Sequence, residues 1–191
     1  MSCMNRTRLF PIILTGALLL SVSAQGAVFT AALTGLQEVP ANASTATGFV
    51  TVTLLGDSLT VDLTFSGLTN IASAGHIHCC TAPGTNAIVA VPFTGLPAAL
   101  SGAYSNTFDL TLAATYNAAF ITANGGTAAS AEAAFIAGLN SFKTYANIHD
   151  SPNFAGGEIR GNLVPEPSTS LLLITGLLGV AAAQKCRRKV Y

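Results

Sequence analysis

The segment Leu59-Thr60-Val61-Asp62-Leu63-Thr64-Phe65 decides the fold class, because apolar and polar side chains alternate along its whole length. Successive side chains of a β-strand point to opposite faces of a sheet, so this pattern predicts a strand with one buried and one wet face. Gly56-Asp57 before it is a tight-turn signal. On the other side of that turn, Phe49–Leu54 is rich in residues that favour strands. These features together predict two strands joined by a tight turn.

Further short strands are predicted on both sides of this pair. They cover Ala27–Leu33, Ile71–His78, Ile88–Val91, Tyr104–Leu112, Tyr145–Ile148 and Glu158–Leu163. Residues 37–47 are polar, contain Pro40 and are predicted as a loop. The alanine-rich stretch Ser130–Leu139 predicts a short helix with Ser130 as its N-cap. A further helical turn is expected within Tyr116–Ile121.

Many short strands with closely spaced turn signals are typical of a β-sandwich or a Greek-key barrel. We therefore predict one all-β domain over residues 27–163, with a short helical insertion. The alternation assigns seven residues to its core: Val61, Leu63, Phe65, Ile77, Leu110, Ile148 and Ile159.

The N-terminus has the layout of a secretory signal peptide. Arg6 and Arg8 are followed by the apolar stretch Leu9–Leu20, and small residues then offer cleavage sites up to Gly26. The apolar stretch is too short to span a ~30 Å hydrocarbon core comfortably. We expect signal peptidase to remove residues 1–26.

The C-terminal residues 164–191 contain three parts in a fixed order. Pro165-Glu166-Pro167 comes first, the apolar run Leu171–Ala183 follows, and the cationic cluster Lys185–Lys189 ends the pattern. Physical chemistry alone predicts a marginal transmembrane helix over residues 171–183 with a cytoplasmic C-terminus. An ordinary single-span anchor would place the domain outside the same membrane.

The three parts resemble the PEP-CTERM sorting signal. The resemblance implies processing by an exosortase, a membrane protease-transpeptidase of Gram-negative bacteria that make exopolysaccharide. The expected route is an inner-membrane intermediate and then the envelope surface or the extracellular matrix.

Charge is scarce and unevenly distributed. Only 8% of residues are charged, against roughly 25% in ordinary soluble domains. Between residues 27 and 164, the two basic residues Lys143 and Arg160 stand against seven acidic ones. An acidic domain without a basic stripe excludes nucleic acid as the expected partner.

All three histidines lie in two short segments, Gly75-His76-Ile77-His78 and Asn147-Ile148-His149-Asp150. On a strand, His76 and His78 point to one face, which is the spacing that offers two imidazoles to one metal. If the two strands are neighbours, His149 completes a three-nitrogen site for zinc or copper. The alternative is a polar rim in which the histidines form hydrogen bonds and hold no metal.

Two further pairs accompany the histidines. Glu158 and Arg160 alternate with Ile159 and are expected on the outer face. There they form an ion pair, support a histidine, or remain a solvated pair of little energetic value. Cys79 and Cys80 are adjacent, and they are compatible with a vicinal disulfide, metal ligation or a bridge between chains.

These motifs also resemble the CHRD domain, a module named from chordin and widespread in bacterial exported proteins. The resemblance covers residues 28–163 and rests on motifs in the expected order. They are Phe29-x-Ala-x-Leu-x-Gly, Gln37-Glu38-Val39-Pro40, Gly48, Ser66-Gly67-Leu68, His76-Ile77-His78, Tyr145-x-Asn147-Ile148-His149 and Gly156-Gly157-Glu158-Ile159-Arg160-Gly161. It implies an all-β extracellular domain and brings no established reaction.

The chain departs from that family at the edges of the histidine motifs. Gly75 and Cys79 stand where the family usually has Ala and Gly, and Asp150 stands where it usually has Thr. A weaker similarity links Gly67-Leu68-Thr69 and His76-x-His78 to the copper-ligand strand of copper/zinc superoxide dismutases. Three histidines in total are too few for a full dismutase site.

Two functions follow from the sequence. The first is a non-catalytic surface module that binds polysaccharide, a matrix protein or itself, and the sparse charge and sorting tail favour it. The second is a metal site at His76, His78 and His149, with redox chemistry as one use of the metal. No catalytic residues are assigned, because nucleophile elbows, paired carboxylates and phosphate loops are missing from the sequence.

Overall fold

The computed structural model describes residues 26–166, which include the whole predicted β domain. The predicted signal peptide, apart from Gly26, and the predicted transmembrane helix 171–183 lie outside the described residues. Within residues 26–166, no helix has the length and apolar character needed to cross a membrane. The helices are α1 (Ala118–Ala123) and α2 (Ala128–Asn140). The strands are β1 (Ala27–Thr34), β2 (Thr47–Leu55), β3 (Ser58–Ser66), β4 (Ala72–Cys79), β5 (Ile88–Pro92), β6 (Gly102–Asp109), β7 (Thr144–Asp150), β8 (Phe154–Asn162) and β9 (Val164–Pro165).

The strands form one antiparallel sheet that curls around a single core. Their order is β5-β4-β7-β8-β1-β2-β3-β6, and β9 pairs with β1. The two ends of the sheet approach each other. Phe93, just after β5, stacks on Tyr104 of β6 with 5.4 Å between ring centroids. The prediction of an all-β domain with a short helical insertion is confirmed. All seven residues that alternation assigned to the core are buried.

The hairpin of β2 and β3 shows why the alternating segment folds as it does. Gly56 has a φ of 57° in the turn, a left-handed conformation that glycine adopts without a steric penalty. Leu59 and Val61 are fully buried, whereas Asp62 between the apolar positions is exposed. Burial of one complete face fixes the register, since a slip of one residue would exchange the two faces.

Three predicted boundaries are wrong by three or more residues. β8 begins at Phe154 rather than at Glu158. β6 ends at Asp109 rather than continuing to Leu112, which is 53% exposed. Helix α2 begins three residues early, because Thr127 rather than Ser130 is the N-cap. Thr127 Oγ1 accepts a hydrogen bond from Ser130 N at 3.1 Å, and Ser130 Oγ accepts one from Thr127 N at 3.2 Å. Ser130 therefore forms the second half of a capping box.

Candidate metal centre

The histidines lie on the face of β4 and β7 that points away from the core. Ile77 is fully buried on the core side, so its neighbours His76 and His78 point to the other side. β7 is the direct neighbour of β4, with Asn147 opposite His76 and His149 opposite Ala74. The adjacency of these two strands brings the third histidine beside the first two.

The three imidazole rings converge on one small volume. His76 Nδ1 lies 3.2 Å from His149 Nε2, and the ring centroids of His76 and His78 are 5.5 Å apart. One nitrogen from each ring can be chosen so that all three lie within 4.8 Å of one another. The structure therefore brings together the three residues that spacing alone proposed.

Hydrogen bonds to backbone carbonyls orient two of these rings. His78 Nδ1 lies 2.8 Å from the carbonyl oxygen of Ala87, and His149 Nδ1 lies 2.9 Å from that of Ala155. A carbonyl oxygen only accepts, so each Nδ1 carries a proton and donates it. In the neutral rings the lone pairs are then on Nε2.

These Nε2 lone pairs point at another acceptor. Asn147 Oδ1 lies 3.1 Å from both His78 Nε2 and His149 Nε2. Neutral Nε2 and an amide oxygen cannot satisfy each other. His149 Nε2 can instead accept a hydrogen bond from His76 Nδ1 at 3.2 Å, which leaves the contact between His78 Nε2 and Asn147 Oδ1 unmatched. A proton on His78, the opposite orientation of the Asn147 amide, or a cation bound to the ring nitrogens resolves that contact.

Arg160 is fully enclosed, which excludes the solvated pair among the alternatives that the sequence left open. It is 1% exposed, and its guanidinium carbon lies 3.3 Å from the centroid of the Tyr145 ring. Its Nη1 donates to Asn86 Oδ1 at 3.0 Å and its Nη2 to the Thr85 carbonyl at 2.8 Å. Tyr145 in turn stacks on His78. Arg160 therefore supports a histidine through a tyrosine.

Glu158 is also buried, and the structure places it in a different role from the one expected. Its Oε1 accepts hydrogen bonds from Ser44 Oγ at 2.7 Å, Thr69 N at 2.9 Å and Thr69 Oγ1 at 2.8 Å. Among the hydrogen bonds of the described residues, none joins Glu158 to Arg160 or to a histidine. Glu158 therefore anchors the loop that contains Ser44 and does not orient a metal ligand.

Two loops cover this face of the sheet, which is why both charges are buried. Residues 35–46 attach through Asn42 Nδ2, which donates to the Glu158 carbonyl at 3.0 Å. Residues 80–87 supply the Arg160 contacts. The loops are joined to each other where Asn86 Nδ2 donates to the Val39 carbonyl at 2.9 Å.

A scan of the chain against protein-family models matches the CHRD domain over residues 29–163. The chain belongs to the CHRD domain family. A second model, the PEP-CTERM protein-sorting motif, matches residues 163–188. This motif indicates export through the membrane to the cell envelope and implies processing by an exosortase. No curated protein and no solved structure shows a significant match to the chain.

The CHRD domain keeps its three histidines largely neutral. Burial lowers the pKa of His76 to about 4, with further lowering by the charges of His149 and His78. Burial also lowers the pKa of His78 and of His149, outweighing their bonds to backbone carbonyls. At neutral pH the rings therefore offer lone pairs, the form in which imidazole binds zinc or copper.

Sequence reasoning missed three residues of the site: Glu38, Tyr145 and Asn147. A usable signal was present for two of them, since Tyr145, Asn147 and His149 alternate on one strand and therefore share a face. Glu38 comes from the irregular loop of residues 35–46, where no alternation along a strand indicates which way a side chain points. It is buried, and burial raises its pKa to about 7 against the lowering effect of Arg160.

Cys79 and Cys80 form a vicinal disulfide at the end of β4. The two sulfurs rest on helix α2, where a side chain at Gly138 would overlap both of them. Cys79 is 1% exposed. Of the three arrangements open from the sequence, the structure adopts the bond within the pair, so these sulfurs belong to the contact between β4 and α2.

The sorting motif begins inside the fold. Pro165 pairs with Phe29 of β1, and Glu166 is the last described residue. Pro167 lies outside the described residues.

Proposed function

We propose that the exported CHRD domain binds one transition-metal ion, zinc or copper, through His76 Nδ1, His78 Nε2 and His149 Nε2. The observation that carries the proposal is the convergence of the three imidazoles, since one nitrogen from each of them lies within 4.8 Å of the other two. A bound cation would accept a lone pair from each of the three neutral imidazoles. Burial supports this choice over extra protons, because it disfavours charged rings.

The geometry is compatible with such an ion after small side-chain rotations. Zinc binds imidazole nitrogen at about 2.0–2.1 Å, so the nitrogens of a tetrahedral site are roughly 3.3 Å apart. His76 Nδ1 and His149 Nε2 are already 3.2 Å apart, and the full set lies within 4.8 Å. His76 and His149 are half-buried, which gives an ion a route from solvent.

A metal titration of protein recovered from exporting cells tests this function. We expect one Zn²⁺ or Cu²⁺ per chain by calorimetry and metal analysis. His149→Ala should weaken binding by more than the roughly 10–100-fold that loss of an outer-shell partner costs. Asp62→Asn is the control, since it removes an exposed carboxylate from β3. Binding that is absent in the wild type, or equal in His149→Ala, rejects the metal site.

A second, non-catalytic role is supported by the outward face of β2, β3 and β6. Thr60 Oγ1 and Thr107 Oγ1 lie 2.9 Å apart on that face, and Phe49, opposite Thr64 further along β3, is 49% exposed on the same face. Hydroxyl groups and an accessible aromatic ring suit a polysaccharide or a matrix protein, and the exposed carboxylate of Asp62 lies on the same face. We place this module at the surface or matrix of a Gram-negative envelope. Co-sedimentation with exopolysaccharide from the same cells tests the role, and Phe49→Ala should reduce the bound fraction.

A further inference from the structure

The sorting motif is part of the β-sheet rather than a free tail. Leu163 is fully buried, and the next two residues form β9, in which Val164 pairs with Thr30 and Pro165 with Phe29. β8 pairs with the same side of β1 further along, at Thr34. The domain therefore continues directly into the motif without a linker.

Glu166 is held by its backbone and by its side chain. Its N–H donates to the Val28 carbonyl at 2.8 Å. Its carboxylate accepts a hydrogen bond from Thr30 Oγ1, also at 2.8 Å. The central residue of the motif thus has its amide and its carboxylate occupied by strand β1.

An enzyme that binds an extended segment uses that segment's backbone groups and its side chains. In the folded domain the backbone and carboxylate of Glu166 are already bonded to β1. We propose that β1 is a docking strand for the sorting motif, and that it competes with the exosortase for Glu166. Processing then requires β9 to separate from β1. The inference rests on the sorting-motif match and is independent of the metal site.

The docking is weak enough to open. The Thr30–Glu166 bond is exposed to solvent, and Val164 is 48% exposed. A single hydrogen bond of this kind shifts the docked equilibrium by about two- to tenfold. Its loss should therefore change the rate of processing measurably without unfolding the domain.

Thr30→Val in the full-length chain tests the competition in cells that contain the exosortase. Valine keeps the shape of threonine and its preference for strands, but removes the hydroxyl donor. Thr51→Val is the matched control, because Thr51 lies directly opposite Thr30 on β2. We expect pulse-labelled Thr30→Val precursor to be processed about two- to tenfold faster than wild type, and Thr51→Val at the wild-type rate.

Hydrogen exchange of the Glu166 amide in the purified precursor tests whether Thr30→Val acts by undocking β9 from β1. Exchange should be faster in Thr30→Val and unchanged in Thr51→Val. Equal or slower processing of Thr30→Val rejects the proposal, even if its Glu166 amide exchanges faster. Equal acceleration by the two variants also rejects it, since that result would indicate general loosening of the sheet.

Discussion

The ring of Tyr145 lies flat on the ring of His78, with 4.6 Å between the centroids and 7° between the planes. Ala87 links the same two residues, since its N–H donates to Tyr145 Oη at 3.2 Å and its carbonyl accepts from His78 Nδ1 at 2.8 Å. Arg160 covers the Tyr145 ring. Stacking and a shared backbone partner therefore hold His78 in one orientation.

Replacing Tyr145 should weaken metal binding without touching a ligand. Tyr145→Ala removes the surface on which His78 rests, and we expect roughly tenfold weaker Zn²⁺ binding by titration. Tyr145→Phe keeps the stack and loses only the bond from Ala87, so its loss should be smaller. Equal affinities of Tyr145→Ala and wild type would contradict the positioning role.

Acid should destabilise the metal-free domain through His76. Its pKa falls from 6.5 to about 4 on folding, so the unfolded chain binds more protons between these pH values. The stability that depends on neutral His76 is then fully present above pH 6.5 and is lost as the pH falls toward 4. His76→Gln should flatten the fall of the melting temperature across this window. A slope unchanged from wild type would refute the assignment.

The titration of Glu38 should change the stability of the domain in the opposite direction to that of His76. Burial raises its pKa from 4.5 to about 7, so the folded state binds more protons in this interval and its stability declines as the pH rises through it. Glu38→Gln removes the buried charge, and its melting temperature relative to wild type should increase from pH 5 to pH 8. Asp62→Asn, an exposed control, should show no such trend.

Gly138→Ala should destabilise the domain, although alanine in a helix normally stabilises by about 0.5–1 kcal/mol relative to glycine. The added methyl group would overlap the sulfurs of Cys79 and Cys80. Overpacking of this kind costs about 1–3 kcal/mol, measurable by urea unfolding. In a chain with both cysteines replaced by alanine, the same substitution should become neutral or stabilising. Stabilisation in the wild-type background would contradict the packing.

The alternation along a strand was sufficient to predict much of the fold. It identified β3 and the core residues, and it placed His76 and His78 on one face. It did not establish that β7 lies beside β4, because sheet order depends on pairing between distant segments. Alternation alone therefore could not place His149 beside His76 and His78, which depends on the pairing of Ala74 with His149.

The burial of Glu158 and Arg160 could not be predicted from the sequence, for a physical reason that the two residues share. Alternation assigned both side chains to the face away from the core, and that face is indeed where Arg160 lies. The pattern carries no information about what covers a face. Two irregular loops, held by Asn42 and Asn86, bury these charges, and loop conformations leave no periodic signal in a sequence.

The pairing of β1 with β8 and β9 also bears on when the sheet can close. β1 is the N-terminal strand of the described residues, yet one side of it is filled only by Arg160, Val164 and Pro165, far along the chain. Contacts so distant along the chain form late. The sheet is therefore complete only when residues from both ends of the domain have met, and the last of these residues belong to the sorting motif.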